Sequence, residues 1–238
     1  MSGACDKAPD RIAGMFDAIA PRYDLLNHLL SAGIDRRWRA RAIRSLQLTG
    51  RETVLDVCTG TADVALQALT ASAGAARVLG VDFAGAMLAI GLRKVKGAGK
   101  EGHITLVRGD ATHLPVGDAT VDAATVAFGI RNVEQPELAC AEMARALRRG
   151  GRLAILEFGV PRVPGVRTFY LWYFKYLLPW IGSRISGHGA AYSYLPASVS
   201  NFPPPRTFAG VLERSGFRDV EAVPLTFGIV YLYTAIRS

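Results

Sequence analysis

The chain has 238 residues, a length that allows one large core and favours a single α/β domain with an appended cap over two independent domains. Half of the residues are hydrophobic, but charged residues interrupt every apolar run before it reaches the roughly 20 residues needed to span a bilayer, so a soluble protein is expected. The formal net charge of +8 is scattered, except for the arginines around Trp38, which fits a solvated basic surface or contact with an anionic membrane surface and disfavours a nucleic-acid partner.

The start of the chain and its cysteines indicate the compartment. Residues 1–11 contain four charged side chains and no apolar core of the kind that a secretory signal requires. The cysteines, Cys5, Cys58 and Cys140, are widely separated, odd in number and without the spacing of a metal or redox site. We therefore expect a protein of the reducing cytoplasm and predict no metal ligands.

From residue 53 onward, short β-branched runs alternate with stretches rich in alanine and leucine. The predicted strands are 53–57, 77–81, 104–107, 121–126 and 152–156, and the predicted helices between them are 62–71, 86–94 and 136–147. This alternation is typical of βαβ units, whose crossover helices cover both faces of a parallel sheet. Ligands of such sheets bind at the carboxyl ends of the strands.

The pattern changes after the fifth strand. Residues 166–181 (VRTFYLWYFKYLLPWI) are dense in aromatic side chains, and we expect a loop rich in Gly, Ser and Tyr to follow, so this part is predicted to be an insertion. The chain then resumes with a predicted helix over 207–214 and strands over 220–225 and 229–236. The short connection between these two strands implies an antiparallel pair.

The turn after the first strand has the composition of a ligand-binding turn. Residues 54–63 read VLDVCTGTAD, and Gly60 allows a ligand to approach the backbone just before a helix whose first N–H groups lack partners. The G-x-G-x-x-G spacing that a dinucleotide pyrophosphate requires is absent. Binding of NAD or FAD is therefore disfavoured.

Acidic residues end the second and third strands. Asp82, followed by Phe83, is placed to accept hydrogen bonds from both hydroxyls of a ribose, and its alternative role is that of an ordinary helix N-cap. Asp110 is placed to accept from an adenine amino group, with the backbone amide of Ala111 beside it, and its alternative role is that of a turn-forming aspartate. These strand ends together predict a nucleoside site.

Several further stretches resemble those of one known family. They are 16–27 (FDAIAPRYDLLN), 30–33 (LSAG), 36–38 (RRW), 128–133 (FGIRNV), 147–158 (LRRGGRLAILEF), 192–196 (YSYLP), 215–217 (SGF) and 225–230 (LTFGIV). From about Met15 to the C-terminus, the chain thus resembles the ubiquinone and menaquinone biosynthesis C-methyltransferase family, and demethylmenaquinone methyltransferases in particular. It departs from the family pattern at Asp35, usually a histidine, at Arg148-Arg149, usually Lys-Pro, and at Ala127, often a serine.

The resemblance implies the α/β fold of a class I S-adenosylmethionine-dependent methyltransferase, a Rossmann-like seven-stranded sheet with an antiparallel C-terminal hairpin, N-terminal helices and an inserted helical cap. We divide the single domain, 1–238, into an N-terminal helical lid (10–48), a cofactor-binding core (53–158), an aromatic cap insertion (160–205) and a C-terminal helix and β-hairpin (206–238). The implied cofactor is S-adenosyl-L-methionine. Its predicted contacts are Asp56, Gly60, Thr61, Asp82, Phe83, Asp110, Ala111 and Ala127.

The implied reaction is C-methylation of a polyprenylated quinol, either demethylmenaquinol or the ubiquinol precursor, with the first preferred. A quinol carbon becomes nucleophilic when the neighbouring hydroxyl loses its proton, but a free phenol has a pKa of about 10. Arg131 is the predicted catalytic cation, which stabilises the phenolate while a bound water takes the proton, because an arginine itself stays protonated.

Two more residues are predicted at the catalytic site. Asn132 is expected to orient the water or the substrate hydroxyl, and Tyr23 to close the pocket; alternatively, Asn132 caps the next helix and Tyr23 only packs. His188, in the loop after the aromatic run, is a further candidate for the base.

The aromatic insertion, with Trp172, Tyr173 and Trp180, has three interpretations: a channel for a polyprenyl tail at the membrane, a lid on the sheet, or a homodimer contact. The resemblance favours the first, so we expect peripheral attachment to the inner face of the cell membrane. Two functional alternatives stay open. One is a methyltransferase for a different small or lipidic acceptor, and the other is a non-catalytic subunit of a quinone-biosynthesis complex.

Overall fold

The computed structural model describes residues 9–74, 76–173, 176 and 189–238. The helices in this part of the chain are α1 (Pro9–Leu30), α2 (Asp35–Ser45), α3 (Asp63–Ala71), α4 (Gly85–Gly97), α5 (Pro136–Ala146), α6 (Pro164–Trp172), α7 (Gly189–Asn201) and α8 (Pro205–Arg214). The strands are β1 (Thr53–Val57), β2 (Arg77–Asp82), β3 (Ile104–Arg108), β4 (Val121–Ala127), β5 (Leu147–Phe158), β6 (Phe217–Leu225) and β7 (Val230–Arg237).

The described strands form one seven-stranded sheet in the order β3-β2-β1-β4-β5-β7-β6. Strands β1 to β5 pair in parallel; for example, Val54 of β1 lies beside Val78 of β2 and Ala123 of β4. Strand β7 runs antiparallel to both β5 and β6. The predicted Rossmann-like α/β sheet with its antiparallel C-terminal hairpin is therefore confirmed.

Strand β1 is buried on both faces of the sheet. Leu55 packs in one core cluster with Met143 of α5, whereas its neighbour Val54 packs in a second cluster with Leu69 of α3. Successive side chains of a strand point to opposite faces, so these two clusters lie on the two sides of the sheet. Helices on both faces explain why β1 is a continuous apolar run rather than an alternating one.

The strand order reverses beside β1. The chain moves outward from β1 to β2 and β3 and then returns to place β4 on the other side of β1. In open α/β sheets a crevice forms outside the carboxyl ends of the strands at such a reversal. The turns after β1 and β4, residues 58–62 and 128–132, both lie at this edge. The fold thus brings the two groups of predicted site residues together.

Strand β5 is longer than expected and begins directly after α5. It spans Leu147–Phe158 rather than 152–156, because Leu147 has an extended backbone with φ −73° and ψ 138° and pairs with Val121. The preceding helix therefore ends at Ala146, one residue before its predicted end.

Helix α7 (Gly189–Asn201) lies in the segment after the aromatic run, where we expected a loop rich in Gly, Ser and Tyr. The prediction was wrong because tertiary packing stabilises a helix in a segment of modest helix propensity. Val199 of α7 packs against Tyr170 of α6, and the helix even accommodates Pro196. Trp180 and His188 lie outside the described residues.

Helix α1 packs along α4 and precedes the sheet. The side chain of Asp17 in α1 accepts a hydrogen bond from the backbone N–H of Ala86, in the first turn of α4, at 2.8 Å. Within the described ranges, no helix combines the length and the apolar character needed to cross a membrane.

Candidate active site

The turn after β1 has a left-handed backbone at several positions. Cys58, Gly60 and Ala62 have φ values of 55°, 56° and 65°, which glycine adopts without the strain that a Cβ introduces. A Cβ on Gly60 would also lie 3.4 Å from the terminal carbon of Met87. The Gly60 N–H donates to Oδ2 of Asp82 at 2.8 Å, which fixes the turn against the end of β2.

Asp56 lies beneath this turn and is almost completely buried. The hydroxyl of Thr59 donates to its Oδ2 at 2.5 Å, while Oδ1 has no hydrogen-bond partner in the described part of the chain. Burial raises the pKa of Asp56 to about 7; the Thr59 hydrogen bond opposes this rise and the charge of Asp82 adds to it. Asp56 therefore contacts the turn through Thr59.

A cavity of about 310 Å³, which we call the strand-end cavity, opens at the carboxyl ends of β2, β3 and β4. Four of the predicted cofactor contacts line it together: Asp82, Phe83, Asp110 and Ala111. Its volume is at the lower end of the range for small-molecule sites, roughly 300 to 1,000 Å³.

Asp82 accepts hydrogen bonds from the backbone and also lines the strand-end cavity. Its Oδ2 accepts from Gly60, and its Oδ1 accepts from the backbone N–H of Ala84, the N-cap of α4, at 2.9 Å. Burial raises the pKa of Asp82, and the backbone donors, with Ala84 and Gly60 foremost, oppose that rise. A carboxylate offers about four acceptor positions, so two are left for the hydroxyls of a ligand.

Asp110 also has a part in a turn. One of its oxygens, Oδ1, accepts from the backbone N–H of Thr112 at 2.8 Å, and its backbone forms an isolated bridge with His113. The side chain is exposed and lines the strand-end cavity. The turn-forming role is thus present, and it leaves the second oxygen for a ligand.

The other predicted cofactor contacts, Asp56, Gly60, Thr61 and Ala127, line neither of the two cavities among the described residues. The Thr61 hydroxyl instead donates to Oδ1 of Asp24 in α1 at 2.6 Å, and Nζ of Lys94 lies 3.3 Å from it. Lys94 also forms ion pairs with Asp24 and with Asp63 of α3. Thr61 therefore connects the turn after β1 to helix α1.

A second cavity, the aromatic cavity, has a volume of about 270 Å³ and lies between α1, α2, α6 and the ends of β4 and β5. The rings of Phe128 and Phe158 lie 4.6 Å apart, and Trp38 meets both edge-on. The Trp38 indole N–H donates to the hydroxyl of Thr226 at 2.9 Å, so the ring is fixed in the wall. The lining is mostly apolar, with a few polar groups directed into it.

Arg131 lines the aromatic cavity and is held by several contacts. Its Nη1 donates to Oε1 of the buried Glu157 at 2.6 Å and to the carbonyl of Phe128 at 2.5 Å. Its Nε lies 3.4 Å from the hydroxyl of Ser198, and its Cζ lies 5.2 Å from the centroid of the Phe158 ring. The guanidinium is therefore fixed in the cavity wall with its charge partly balanced.

Asn132 lies on the opposite side of the same short 3₁₀ turn (Ile130–Asn132) and lines the strand-end cavity. Its buried Oδ1 has no hydrogen-bond partner in the described residues. It does not cap the next helix, whose N-cap is Gln135. The structure thus separates Arg131 and Asn132, which we had expected to act in one place.

Tyr23 of α1 lines the aromatic cavity. Burial raises the pKa of its phenol, although a hydrogen bond with Asn27 and the nearby charge of Arg131 oppose the rise. The hydroxyl therefore stays protonated near neutral pH and is a donor rather than a base.

Sequence reasoning did not identify three polar residues of the aromatic cavity, Ser31, Asp35 and Arg39. Asp35 had stood out only as a departure from the family pattern. A signal was present in helix α2: Asp35, Trp38 and Arg39 share one helical face at spacings of three and four residues, and that face is buried. A carboxylate on the apolar face of a helix indicates a partner or a function.

Comparison with known proteins identifies close relatives of this chain. The sequence model described as the ubiE/COQ5 methyltransferase family matches residues 5–237. The ubiquinone/menaquinone biosynthesis C-methyltransferase UbiE of Syntrophotalea carbinolica is 50% identical over 224 residues, which cover 94% of this chain and 93% of the relative. A demethylmenaquinone methyltransferase of Thermus thermophilus is 44% identical, over 94% of this chain and 100% of the relative.

Solved structures share the fold at low sequence identity. The [4+2]-cyclase SpnF has a TM-score of 0.72 and 17% identity, with coverage of 100% of this chain and 99% of that chain. An S-adenosylmethionine-dependent methyltransferase from Aquifex aeolicus has a TM-score of 0.59 and 18% identity, with coverage of 80% and 84%. At such identities the likeness supports the fold alone.

Proposed function

The chain belongs to the ubiE/COQ5 methyltransferase family, and we propose that it methylates a ring carbon of a polyprenylated quinol, with demethylmenaquinol as the preferred acceptor. The observation that carries this proposal is the pair of cavities on either side of the 130–132 turn. Asn132 faces the polar strand-end cavity, and Arg131 faces the aromatic cavity. A nucleoside-type cofactor and an aromatic acceptor can therefore meet at this turn.

The residues of the strand-end cavity fit S-adenosylmethionine, which when bound supplies a methyl group on a sulfonium sulfur that keeps the electron pair of the broken carbon–sulfur bond. Asp82 has two unused acceptor positions for the ribose hydroxyls, and Asp110 with the Ala111 amide is placed for the adenine. The unpaired Oδ1 of Asn132 provides an acceptor at the junction. The turn around Gly60 is then left for the methionine part.

The part of Arg131 in this reaction is electrostatic. A guanidinium has five N–H donors, and the contacts to Glu157, Phe128 and Ser198 use those of Nη1 and Nε. In the described part of the chain, the two Nη2 donors have no partner, and we assign them to the phenolate oxygen. Preorganised donors of this kind stabilise charge as it develops, without reorganisation during the reaction.

The aromatic cavity suits the ring and the first part of the tail. Phe169 of α6 lines the cavity and is also 63% exposed, so the cavity reaches the surface along this helix. Leu171, Trp172 and Tyr176 add exposed apolar area nearby, and Arg162 and Arg167 are exposed beside them. This composition suits a helix that lies on an anionic membrane, from which a lipid-soluble quinol would enter on the cytoplasmic side.

The test is methyl transfer from S-adenosylmethionine labelled in the methyl group, followed by mass spectrometry of the products. The acceptors are a short-tailed demethylmenaquinol, a benzoquinol precursor of ubiquinol and a lipid without a quinol ring, each presented in anionic vesicles. We expect label on a ring carbon of demethylmenaquinol at the highest kcat/KM. Label on the third substrate alone would instead support a methyltransferase for a different lipidic acceptor.

A further inference from the structure

The aromatic cavity has a carboxylate on its wall. Among the described residues that line it, Asp35 is the one acidic side chain, and no histidine lines it. The other ionisable groups are arginines, which stay protonated, and tyrosines such as Tyr23 and Tyr170, whose pKa values burial raises. Asp35 is therefore the described cavity residue that is best suited to accept a proton.

The Asp35 carboxylate is held by three side chains. Oδ1 accepts from the hydroxyl of Ser31 at 2.9 Å, and Oδ2 accepts from Nδ1 of His28 at 2.9 Å and from Arg39 at 3.0 Å. A carboxylate has about four acceptor positions, so one position on Oδ1 is left. The side chain is only 4% exposed, so this position faces the cavity rather than bulk water.

These contacts differ from those of an ordinary acidic residue in the first turn of a helix. Such residues are usually solvated, or they cap backbone N–H groups. At the start of α2 no side-chain capping bond forms, and the hydrogen bonds of Asp35 go to the side chains of His28 in α1, Ser31 in the turn between the helices and Arg39 in α2. Burying a carboxylate is costly without partners, and three partners here hold it at the cavity wall.

His28 orients Asp35 through one ring nitrogen. Its Nε2 lies 3.2 Å from Nη2 of Arg36, and because a guanidinium only donates hydrogen bonds, Nε2 must accept. The ring hydrogen is then on Nδ1, which donates it to Asp35. The charged groups around Asp35 are thus Arg39 and, behind His28, Arg36, with Asp63 on the far side of Arg39.

Building on the quinol activity proposed above, we infer that Asp35 is the base that takes the hydroxyl proton of the quinol and that His28 and Ser31 are positioning residues. The O–H bond breaks as its proton passes to Oδ1, and the freed electron pair moves through the ring, whose carbon forms the new bond to the methyl group. The ring carbon then loses its hydrogen as a proton to water, and Asp35 returns its proton to the oxygen. One proton leaves per turnover.

A binding experiment tests the contact without catalysis. Trp38 lines the cavity, so its fluorescence can follow the binding of a tailless naphthol and of its O-methyl ether. We expect the wild type to prefer the naphthol about 10-fold, as for one hydrogen bond to a charged group, and Asp35→Ala to reduce that preference below about twofold. Asp63→Asn, which removes the other carboxylate partner of Arg39 outside this cavity, should keep the wild-type preference.

An unchanged naphthol preference in Asp35→Ala would overturn the inference, whether or not the wild type methylates a quinol. Conversely, a wild type that binds S-adenosylmethionine and prefers the naphthol, but methylates no quinol, would contradict the proposed function and leave Asp35 as a hydroxyl acceptor. The two failures are therefore distinguishable.

Single-turnover methyl transfer at saturating cofactor tests the proton transfer itself. Asp35→Asn should lower the rate about 10²- to 10⁴-fold, the usual contribution of a general base, and its rate should rise with pH toward the phenol pKa of about 10. Asp63→Asn should keep the wild-type pH profile. The double variant His28→Asp with Asp35→His controls for loss of folding, because it keeps a carboxylate and an imidazole in contact. It should transfer the methyl group faster than Asp35→Asn does. A wild-type rate and pH profile in Asp35→Asn would contradict the assignment.

Discussion

Glu157 presents both of its carboxylate oxygens to Arg131. Oε1 accepts from the guanidinium at 2.6 Å, and Oε2 accepts from the backbone N–H of the same residue at 3.1 Å. Because Glu157 is completely buried in β5, it fixes both the backbone and the side chain of Arg131 to the sheet. The position of the guanidinium is thus determined by the core.

Replacement of Arg131 by lysine should slow methyl transfer with little change in cofactor affinity. Lysine keeps the charge beside Glu157 but lacks the planar set of donors for a phenolate. We expect the single-turnover rate to fall roughly 10- to 1,000-fold, about 1.4 to 4 kcal/mol of transition-state stabilisation. A more acidic quinol analogue should restore part of the rate.

The exposed Arg148 offers a matched control, since Arg148→Lys makes the same chemical change outside both cavities. Equal rates in the wild type and Arg131→Lys would assign Arg131 a structural role. Arg131→Ala is less informative, because it leaves the Glu157 carboxylate buried without its partner, a change that typically costs about 3 to 5 kcal/mol of stability.

Asp82→Ala should weaken S-adenosylmethionine binding by about 1.5 to 3 kcal/mol, the value of hydrogen bonds to a charged group. Calorimetric titration measures this, with Asp118→Ala as a control, because that carboxylate is 79% exposed and paired with Arg145. Circular dichroism should report a folded variant. A variant with wild-type affinity would remove Asp82 from the ribose site.

Replacing Leu171 and Trp172 by serine should reduce association with anionic vesicles and raise KM for long-tailed quinols more than for a tailless analogue. Both side chains are exposed on α6, and neither lines the aromatic cavity. Leu92 and Leu138 provide the control pair, since they are similarly exposed on α4 and α5. Vesicle flotation and sedimentation equilibrium together separate membrane contact from dimerisation: loss of a dimer with unchanged flotation would favour the dimer interpretation.

The buried Asp56 should make stability depend on pH in a defined direction. Its folded-state pKa of about 7 lies above the ordinary aspartate value of 3.8, so the folded protein binds the proton more tightly than the unfolded chain does. The contribution of Asp56 to the free energy of unfolding is therefore fully present below the pKa of the unfolded chain, and it is lost as the pH rises from about 4 to about 7. The free energy of unfolding of Asp56→Asn, relative to that of the wild type, should therefore increase by about 1 to 4 kcal/mol when the pH is raised from 5 to 8. Urea unfolding at both pH values measures this difference, and a pH-independent difference would show that Asp56 keeps an ordinary pKa.

The sheet was predictable because a local sequence pattern indicates each of its strands. The β-branched runs and the acidic residues that follow β2 and β3 are local in sequence, so the positions of Asp82 and Asp110 at one edge followed from the parallel topology. The C-terminal hairpin was predictable for the same reason, from two apolar runs and a short turn.

The rest of the site depends on contacts between distant segments. Arg131 and Asn132 face different cavities because successive residues of a 3₁₀ turn point about 120° apart, and the sequence did not predict a 3₁₀ turn here. Asp35 could be placed only once α1 and α2 were packed against the ends of β4 and β5. Helix α7 likewise forms through its contacts with α6.

Helix α1 lines the aromatic cavity and also contacts α4 and the turn after β1, next to the strand-end cavity, and this arrangement has a thermodynamic consequence. Through Asp17 and Asp24 it contacts the start of α4 and Thr61 in the turn after β1, while Phe16 and Tyr23 line the aromatic cavity. A ligand that stabilises the packing of α1 from one side orders the helix before the second ligand binds. The second ligand then loses less free energy in ordering α1, so it binds more tightly. The affinities should therefore be cooperative and reciprocal: the cofactor should tighten quinol binding by the same factor, about 5- to 150-fold, by which the quinol tightens cofactor binding. Asp24→Asn should lower both factors equally.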